Sequence, residues 1–303
     1  MKQRIITAIF YIGAMLGIIA LKIFVPDYVF SDGSTFSMGS LGVDVLFWLI
    51  SIFGAFEFMR AVGNISKVQW WLAMITCILI IPTFVLGKLF ADVFVALVAL
   101  LSVTSIGMMV TASMMVFDFE ESSLRSTALA ELCILYCGVL ACVGPNVAHL
   151  AYNSTPAIML LFVLVPAVDT FAYFFGKLLG KKIPYKLAPH TSPNKTIIGA
   201  VGGIIGGLIA AVLVWAFCEY VPLDSVKIVN YSGNVPHIVL LMLFALPTAI
   251  LSQLGDLFES AIKRRCNIKD MGKILPGHGG VLDRFDSMLF ASVSIVVCFM
   301  LIY

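Results

Sequence analysis

The stretch from Ser252 to Asp286 reads SQLGDLFESAIKRRCNIKDMGKILPGHGGVLDRFD. It leaves one apolar segment, crosses a basic loop broken by glycines and enters a second apolar segment that carries carboxylates. Residues three and four apart share a helix face, so Asp256, Glu259 and Lys263 project together from the end of the first segment. Asp283 and Asp286, three apart, open the second segment in the same way. Few other parts of the chain hold so many ionisable groups.

Elsewhere the chain is built for hydrocarbon. It is 61% apolar and 12% charged, with a mean hydropathy of +1.05, against roughly 45–50% and about 25% in soluble domains. Apolar windows lie near 5–25, 41–59, 69–88, 91–116, 128–149, 156–176, 197–218, 237–258 and 286–303. Each is close to the roughly 20 residues that a membrane-spanning helix needs. The runs are unbroken rather than alternating, which excludes a barrel, and a spanning backbone must satisfy its own hydrogen bonds. The expected fold is therefore all-α and polytopic, with about nine transmembrane helices. The first window exceeds a signal peptide's apolar core and has no small-residue cleavage site before Asp27, so it is expected to be a retained span.

Nine spans place all but three of the 19 lysines and arginines on one side, the exceptions being Lys22, Lys88 and Lys227. That bias sets the N-terminus and the two long basic loops in the cytoplasm and the C-terminus on the opposite side. Between the third and fourth spans only Lys88 and Asp92 interrupt the apolar run. The seven cysteines show no CxxC pair and read as small buried hydrophobes. Trp70, Trp71, Tyr28 and Tyr220 sit near span ends, where amphipathic rings anchor a helix.

Ionisable groups inside apolar windows are costly. Asp44 and Glu131 lie near window edges and are expected to reach water, and Glu57 is expected to pair with Arg60 three residues on. Asp169 follows Pro166, a position that suggests a bent helix or a polar cavity. The connection 177–196 carries five lysines and no acidic residue. Lys181, Lys182 and Lys186 suit either topology and headgroup contact or substrate. Lys195 stands beside Ser192 just before a span, where a phosphate would be held. Gly199, Gly202, Gly203, Gly206 and Gly207 then draw a smooth stripe that reads as helix packing.

The opening stretch carries the chemistry. Folding its loop back would set both acidic pairs around one cleft. Clustered carboxylates without matching His or Cys favour a hard cation such as Mg²⁺. Lys263, Arg264, Lys269, Lys273 and Arg284 supply the charge that a polyphosphate needs. The Pro276-Gly277-His278-Gly279-Gly280 turn exposes backbone amides. His278 is either an acid/base or a turn residue donating to phosphate. Together these residues suit phosphoryl-type transfer.

Ser260-Ala261-Ile262-Lys263-Arg264, Lys269-Asp270, Gly272, Leu275-Pro276, His278-Gly279-Gly280 and Asp283-Arg284-Phe285-Asp286 together resemble the signature of phosphatidate cytidylyltransferases, also called CDP-diacylglycerol synthases. A second likeness runs through Asp169, Ala172-Tyr173, Gly176-Lys177, Gly180-Lys181, Ser192-Pro193 and Lys195-Thr196-Ile197-Ile198-Gly199. There the family usually carries a glutamate where this chain has Ile198. The resemblance implies an integral membrane enzyme that takes CTP and phosphatidic acid, with Mg²⁺ and room for a second cation, to CDP-diacylglycerol and pyrophosphate. It implies metal and catalytic roles for Asp256, Asp283 and Asp286, and a phosphate contact for Lys263. The residues expected to bind substrate are Ser192, Lys195, Ser260, Arg264, Lys269, Lys273, His278, Gly279, Gly280 and Arg284.

It further implies a homodimer, with the active site facing the cytoplasm of a bacterial inner membrane. Residues 1–125 are expected to be helices with a packing role, and 126–303 the catalytic region with loops 177–196 and 259–285. No nucleic-acid partner is expected. Two other readings stay open at this point. A lipid or polyprenol kinase would share the cation and the basic cleft but release a nucleoside diphosphate. A transporter for an anionic metabolite would spread its polar groups through midplane helices in both halves.

Overall fold

The computed structural model describes residues 2–30, 35–183, 185–229, 233, 235–275, 277 and 279–303, with side chains from residue 11 onward. Its helices are α1 (Lys2–Phe24), α2 (Leu41–Val62), α3 (Lys67–Phe90), α4 (Val93–Phe117), α5 (Leu124–Cys133), α6 (Leu140–Ala148), α7 (Ser154–Leu179), α8 (Ile197–Tyr220), α9 (His237–Arg265) and α10 (Leu282–Ile302). A π-helical turn, Ile134–Val139, joins α5 to α6 into one long apolar rod. Two antiparallel hairpins lie in the connections: β1 (Tyr28–Val29) with β2 (Thr35–Phe36), and β3 (Lys186–Ala188) with β4 (Ser192–Thr196).

The protein is an all-α, polytopic membrane protein. Among the described residues, eight helices are long and apolar enough to cross a bilayer, and Tyr11–Phe24 of α1 adds a shorter apolar segment. They follow the apolar windows of the sequence in order. The narrow break between α3 and α4 is made by Asp92, whose carboxylate accepts the amide of Val95 at 2.8 Å. That caps α4 and so ends one helix and begins another within three residues. Ser123 and Ser126 form a reciprocal capping box at the start of α5, and Thr196 caps α8 through the Gly199 amide.

The chain divides into two compact units, each assembled from separated segments. The first contains residues 1–11, 25–145 and 268–284, and the second contains 12–24, 146–267 and 285–303. In the first unit α3 packs against α2, α4 and the π-helical turn. Pro82 inside α3 removes the amide that would bond the Ile78 carbonyl, and the Trp48 indole of α2 donates to that carbonyl instead, at 2.9 Å. Gln69, fully buried, bonds Ser126, Thr127 and the Thr111 carbonyl. A buried amide must find such partners, so these bonds fix the ends of α3, α4 and α5 against one another.

In the second unit α7 and α8 form the most extensive helix pair, with the glycine stripe of α8 turned toward Val168, Phe171 and Phe175. The stripe is thus packing surface, as its spacing implies. α7 runs unbroken through Pro166. The Thr248 and Ser294 hydroxyls join α9 to α10 at 3.0 Å.

Two expectations for window-edge carboxylates fail. Asp44 is buried, 4% exposed, with Cys142 near it, rather than in water. Glu57 is 2% exposed and turns away from any pairing with Arg60 toward the backbone of the 268–284 loop. A full charge inside the bilayer is stabilised by fixed amide dipoles as well as by a cation, and nearest-neighbour spacing along one helix does not reveal amides far along the chain.

Candidate functional site

Functional groups gather in each unit, and the two gatherings differ in kind. In the second unit the site begins with Gly255 on α9. A methyl there would meet the Asp286 carbonyl and the Phe290 side chain, so glycine at this position lets the backbone of α10 approach closely. That approach sets Asp256 and Glu259 of α9 against Asp286 of α10. Asp286 is 6% exposed and interacts electrostatically with both. Carboxyl groups that interact in this way hold either a shared proton or a cation.

Two ammonium groups answer these carboxylates. Lys195, at the end of the β3–β4 hairpin, pairs with Asp256, and Lys263 pairs with Glu259 one helical turn earlier. The Ser260 hydroxyl donates to Asp256 at 3.3 Å. Arg264 donates through Nε to the Thr191 carbonyl at 3.2 Å, which holds the hairpin, and with it Ser192 and Lys195, beside α9. Three carboxylates thus face two ammonium groups, and Asp286 has no ion pair among the described residues. With all three carboxyl groups ionised, the cluster is one positive charge short of neutrality.

This donor set fits a hard divalent cation. All its acceptors are carboxylate oxygens, Mg²⁺ takes only one or two of these from a protein, and it fills the rest of its octahedron with water and phosphate oxygens. The described residues contain no group of three or more His, Cys, Asp or Glu side chains that could hold a metal ion.

In the first unit the loop 268–284 makes a cationic cavity of about 630 Å³ lined by Lys269, Asp270, Lys273, Arg284 and backbone of the glycine turn. Lys269, Lys273 and Arg284 are exposed. Leu275 and Gly279 close the turn through a backbone bond of 2.9 Å. Pro276 and His278 lie outside the described residues. Asp283, in the first turn of α10, accepts the amides of Met271 at 2.9 Å and Gly280 at 2.8 Å, both on Oδ2. Its carboxylate is therefore a backbone clamp for the loop, and the Gly280 amide is committed to it.

Sequence reasoning missed Glu57 at this loop. Buried in α2, it accepts the Leu282 amide at 3.0 Å, and the Val281 backbone also bonds to it. An ionisable residue in an apolar window is the only signal the sequence carries for it. Glu259, the acidic neighbour of Asp286, is likewise more central than its position among pairing charges suggests.

The whole chain, residues 2–303, matches a model described as the Cytidylyltransferase family. A phosphatidate cytidylyltransferase of Helicobacter pylori strain J99 is 45% identical over 141 residues, 46% of this chain and 46% of that protein. One of Staphylococcus aureus strain N315 is 40% identical over 134 residues, 44% and 45% of the two chains. The chain thus matches about half the length of these relatives. A phosphatidate cytidylyltransferase of Rickettsia bellii strain RML369-C is 35% identical over 233 residues, 75% of this chain and 89% of that one.

Proposed function

Because the chain belongs to the cytidylyltransferase family, we propose that it joins CTP to phosphatidic acid, giving CDP-diacylglycerol and pyrophosphate. The observation that carries this reading is the charge-deficient cluster of Asp256, Glu259 and Asp286 against Lys195 and Lys263. Such a cluster suits a divalent cation with a polyphosphate. We assign Mg²⁺ to Asp256 and Asp286, with a second cation accommodated beside them; Asp283, whose Oδ2 accepts the Met271 and Gly280 amides, serves the 268–284 loop. When bound, Mg²⁺ supplies charge neutralisation at the phosphate oxygens.

The residues of the chain do the rest. A phosphatidate oxyanion attacks the α-phosphorus of CTP, a new P–O bond forms, and the bond to the β-phosphate oxygen breaks as pyrophosphate leaves. The nucleophile is already ionised, so the main obstacle is repulsion between two polyanions rather than a missing base. Lys269, Lys273 and Arg284 lower that repulsion, Arg284 with a fork that suits phosphate. Lys195 and Lys263, held beside carboxylates in the free protein, are placed to turn to phosphate oxygens when these arrive. Ser192, Ser260, Arg264, His278 and the turn at Gly279 and Gly280 complete the substrate contacts. Preorganised charge of this kind is effective because it is fixed before the reaction.

The Lys/Arg distribution supports an N-terminus and active site in the cytoplasm, a C-terminus on the other face, and placement in a bacterial inner membrane. The catalytic work is assigned to 126–303 and helix packing to 1–125, and the working unit to a homodimer without nucleic acid. A lipid kinase differs in its product. The purified protein with phosphatidic acid and each of four ribonucleoside triphosphates should release pyrophosphate with CTP alone. Release of a nucleoside diphosphate, or equal turnover with all four, would overturn the assignment.

A further inference from the structure

We propose that Glu57 of α2 is a positioning residue for the glycine-rich loop, setting the backbone at Gly272 and at residues 280–282 beside the cationic cavity. The proposal rests on the reading of that cavity as a nucleotide site. Glu57 lies 225 residues from Leu282 in the chain, yet its Oε2 accepts the Leu282 amide at 3.0 Å. A buried carboxylate accepting an amide makes one of the stronger hydrogen bonds available to a backbone. Its Oε1 is buried with no hydrogen-bond partner among the described residues. A buried acceptor left in that state is costly, so the carboxylate is held here for a purpose beyond filling space.

The loop is shaped to admit it. A methyl added at Gly272 or at Gly280 would collide with the Glu57 carboxylate itself. The two glycines therefore form a recess into which the carboxylate fits. On the other side of the same backbone, Asp283 holds the amides of Met271 and Gly280. Two carboxylates thus clasp one loop, Asp283 from within it and Glu57 from a distant helix. Lys269, Lys273 and Arg284 gain their places around the cavity from this backbone. Glu57 does not line the cavity, so it acts through the loop and not on substrate.

The test uses the full-length protein in detergent, with Glu57→Ala, Glu57→Gln and Gly280→Ala, alone and combined. In Glu57→Ala, hydrogen exchange at the amides of residues 280–282 should rise about tenfold or more, while α3 and α8 keep their wild-type exchange. The KM for CTP should rise by a similar factor, with a smaller change in kcat. Glu57→Gln keeps an acceptor of the same shape and should recover most of both losses. Gly280→Ala should be harmful beside Glu57, yet add little in the Glu57→Ala background, where the collision is gone. Wild-type exchange and KM in Glu57→Ala would overturn the proposal, as would a uniform rise in exchange through α3 and α8. If the wild-type protein turns over no CTP, the functional reading fails, and the exchange pattern still decides the role of Glu57.

Discussion

Lys263 and Lys273 stand ten residues apart in one basic run, yet they hold their charge in opposite ways. Lys263 is 12% exposed and paired with Glu259, whose side chain is fully buried; Lys273 stands exposed on the rim of a cavity with Lys269 and Arg284. In the acid cluster Asp256 and Glu259 are each fixed by a lysine, and desolvation makes each partner matter. In the loop the cations are exposed to water, and the backbone beneath them is held by Asp283 and Glu57. An exposed cationic rim of this kind attracts anions from water.

The sharpest way to break that contrast is Lys263→Ala. It leaves Glu259 buried without its cation, and breaking a buried pair from one side costs roughly 3–5 kcal/mol. Thermal unfolding in detergent should therefore show a large fall in Tm, and Glu259→Gln combined with it should restore much of the loss. Lys273→Ala, at an exposed site, should shift stability by no more than about 0.5 kcal/mol. Equal Tm values for the two lysine variants would mean that the cluster is not the desolvated site described here.

Asp286→Asn tests the charge deficit. It removes the carboxylate that lacks an ion pair, so the free protein should hold or raise its Tm. Turnover should nevertheless fall by about 10² to 10³, the scale of losing one fixed electrostatic group from a reaction centre. Manganese binding measured by titration should weaken in parallel. A variant that loses Tm and keeps turnover would reverse the assignment, making Asp286 a structural residue.

The fold was legible because hydrocarbon leaves a chain few choices. Unbroken apolar windows had to become helices, and even the two-residue break before α4 was marked by Asp92, whose side chain makes the cap. Asp256 and Asp286 drew attention because carboxylates inside or beside apolar windows have few uses. What the sequence could not show was set by distance along the chain. Glu57 was read against Arg60 because that neighbour is close in sequence, whereas its bond is made to Leu282. The β3–β4 hairpin escaped because β3 is only three residues long and β4 is polar, so neither shows the alternation that marks a half-buried strand. Asp44 looked solvated only because it lies near a window edge; packing around Cys142 buries it.

The smallest expected effects belong to the exposed rim, and they separate recognition from bulk charge. Arg284→Ala and Lys273→Ala should each raise the KM for CTP by about tenfold, the scale of one charge-assisted contact. Because such contacts are screened within roughly 8 Å at physiological salt, each variant should also flatten the rise of KM with ionic strength. Lys181→Ala offers the control. Lys181 is a lysine of the other basic connection, it is absent from the lining of the cavity, and its charge suits headgroup contact. Its KM and salt dependence should match the wild type. If Lys181→Ala shifts KM as far as Arg284→Ala does, then net positive charge near the membrane, and not the geometry of the 268–284 loop, governs nucleotide capture.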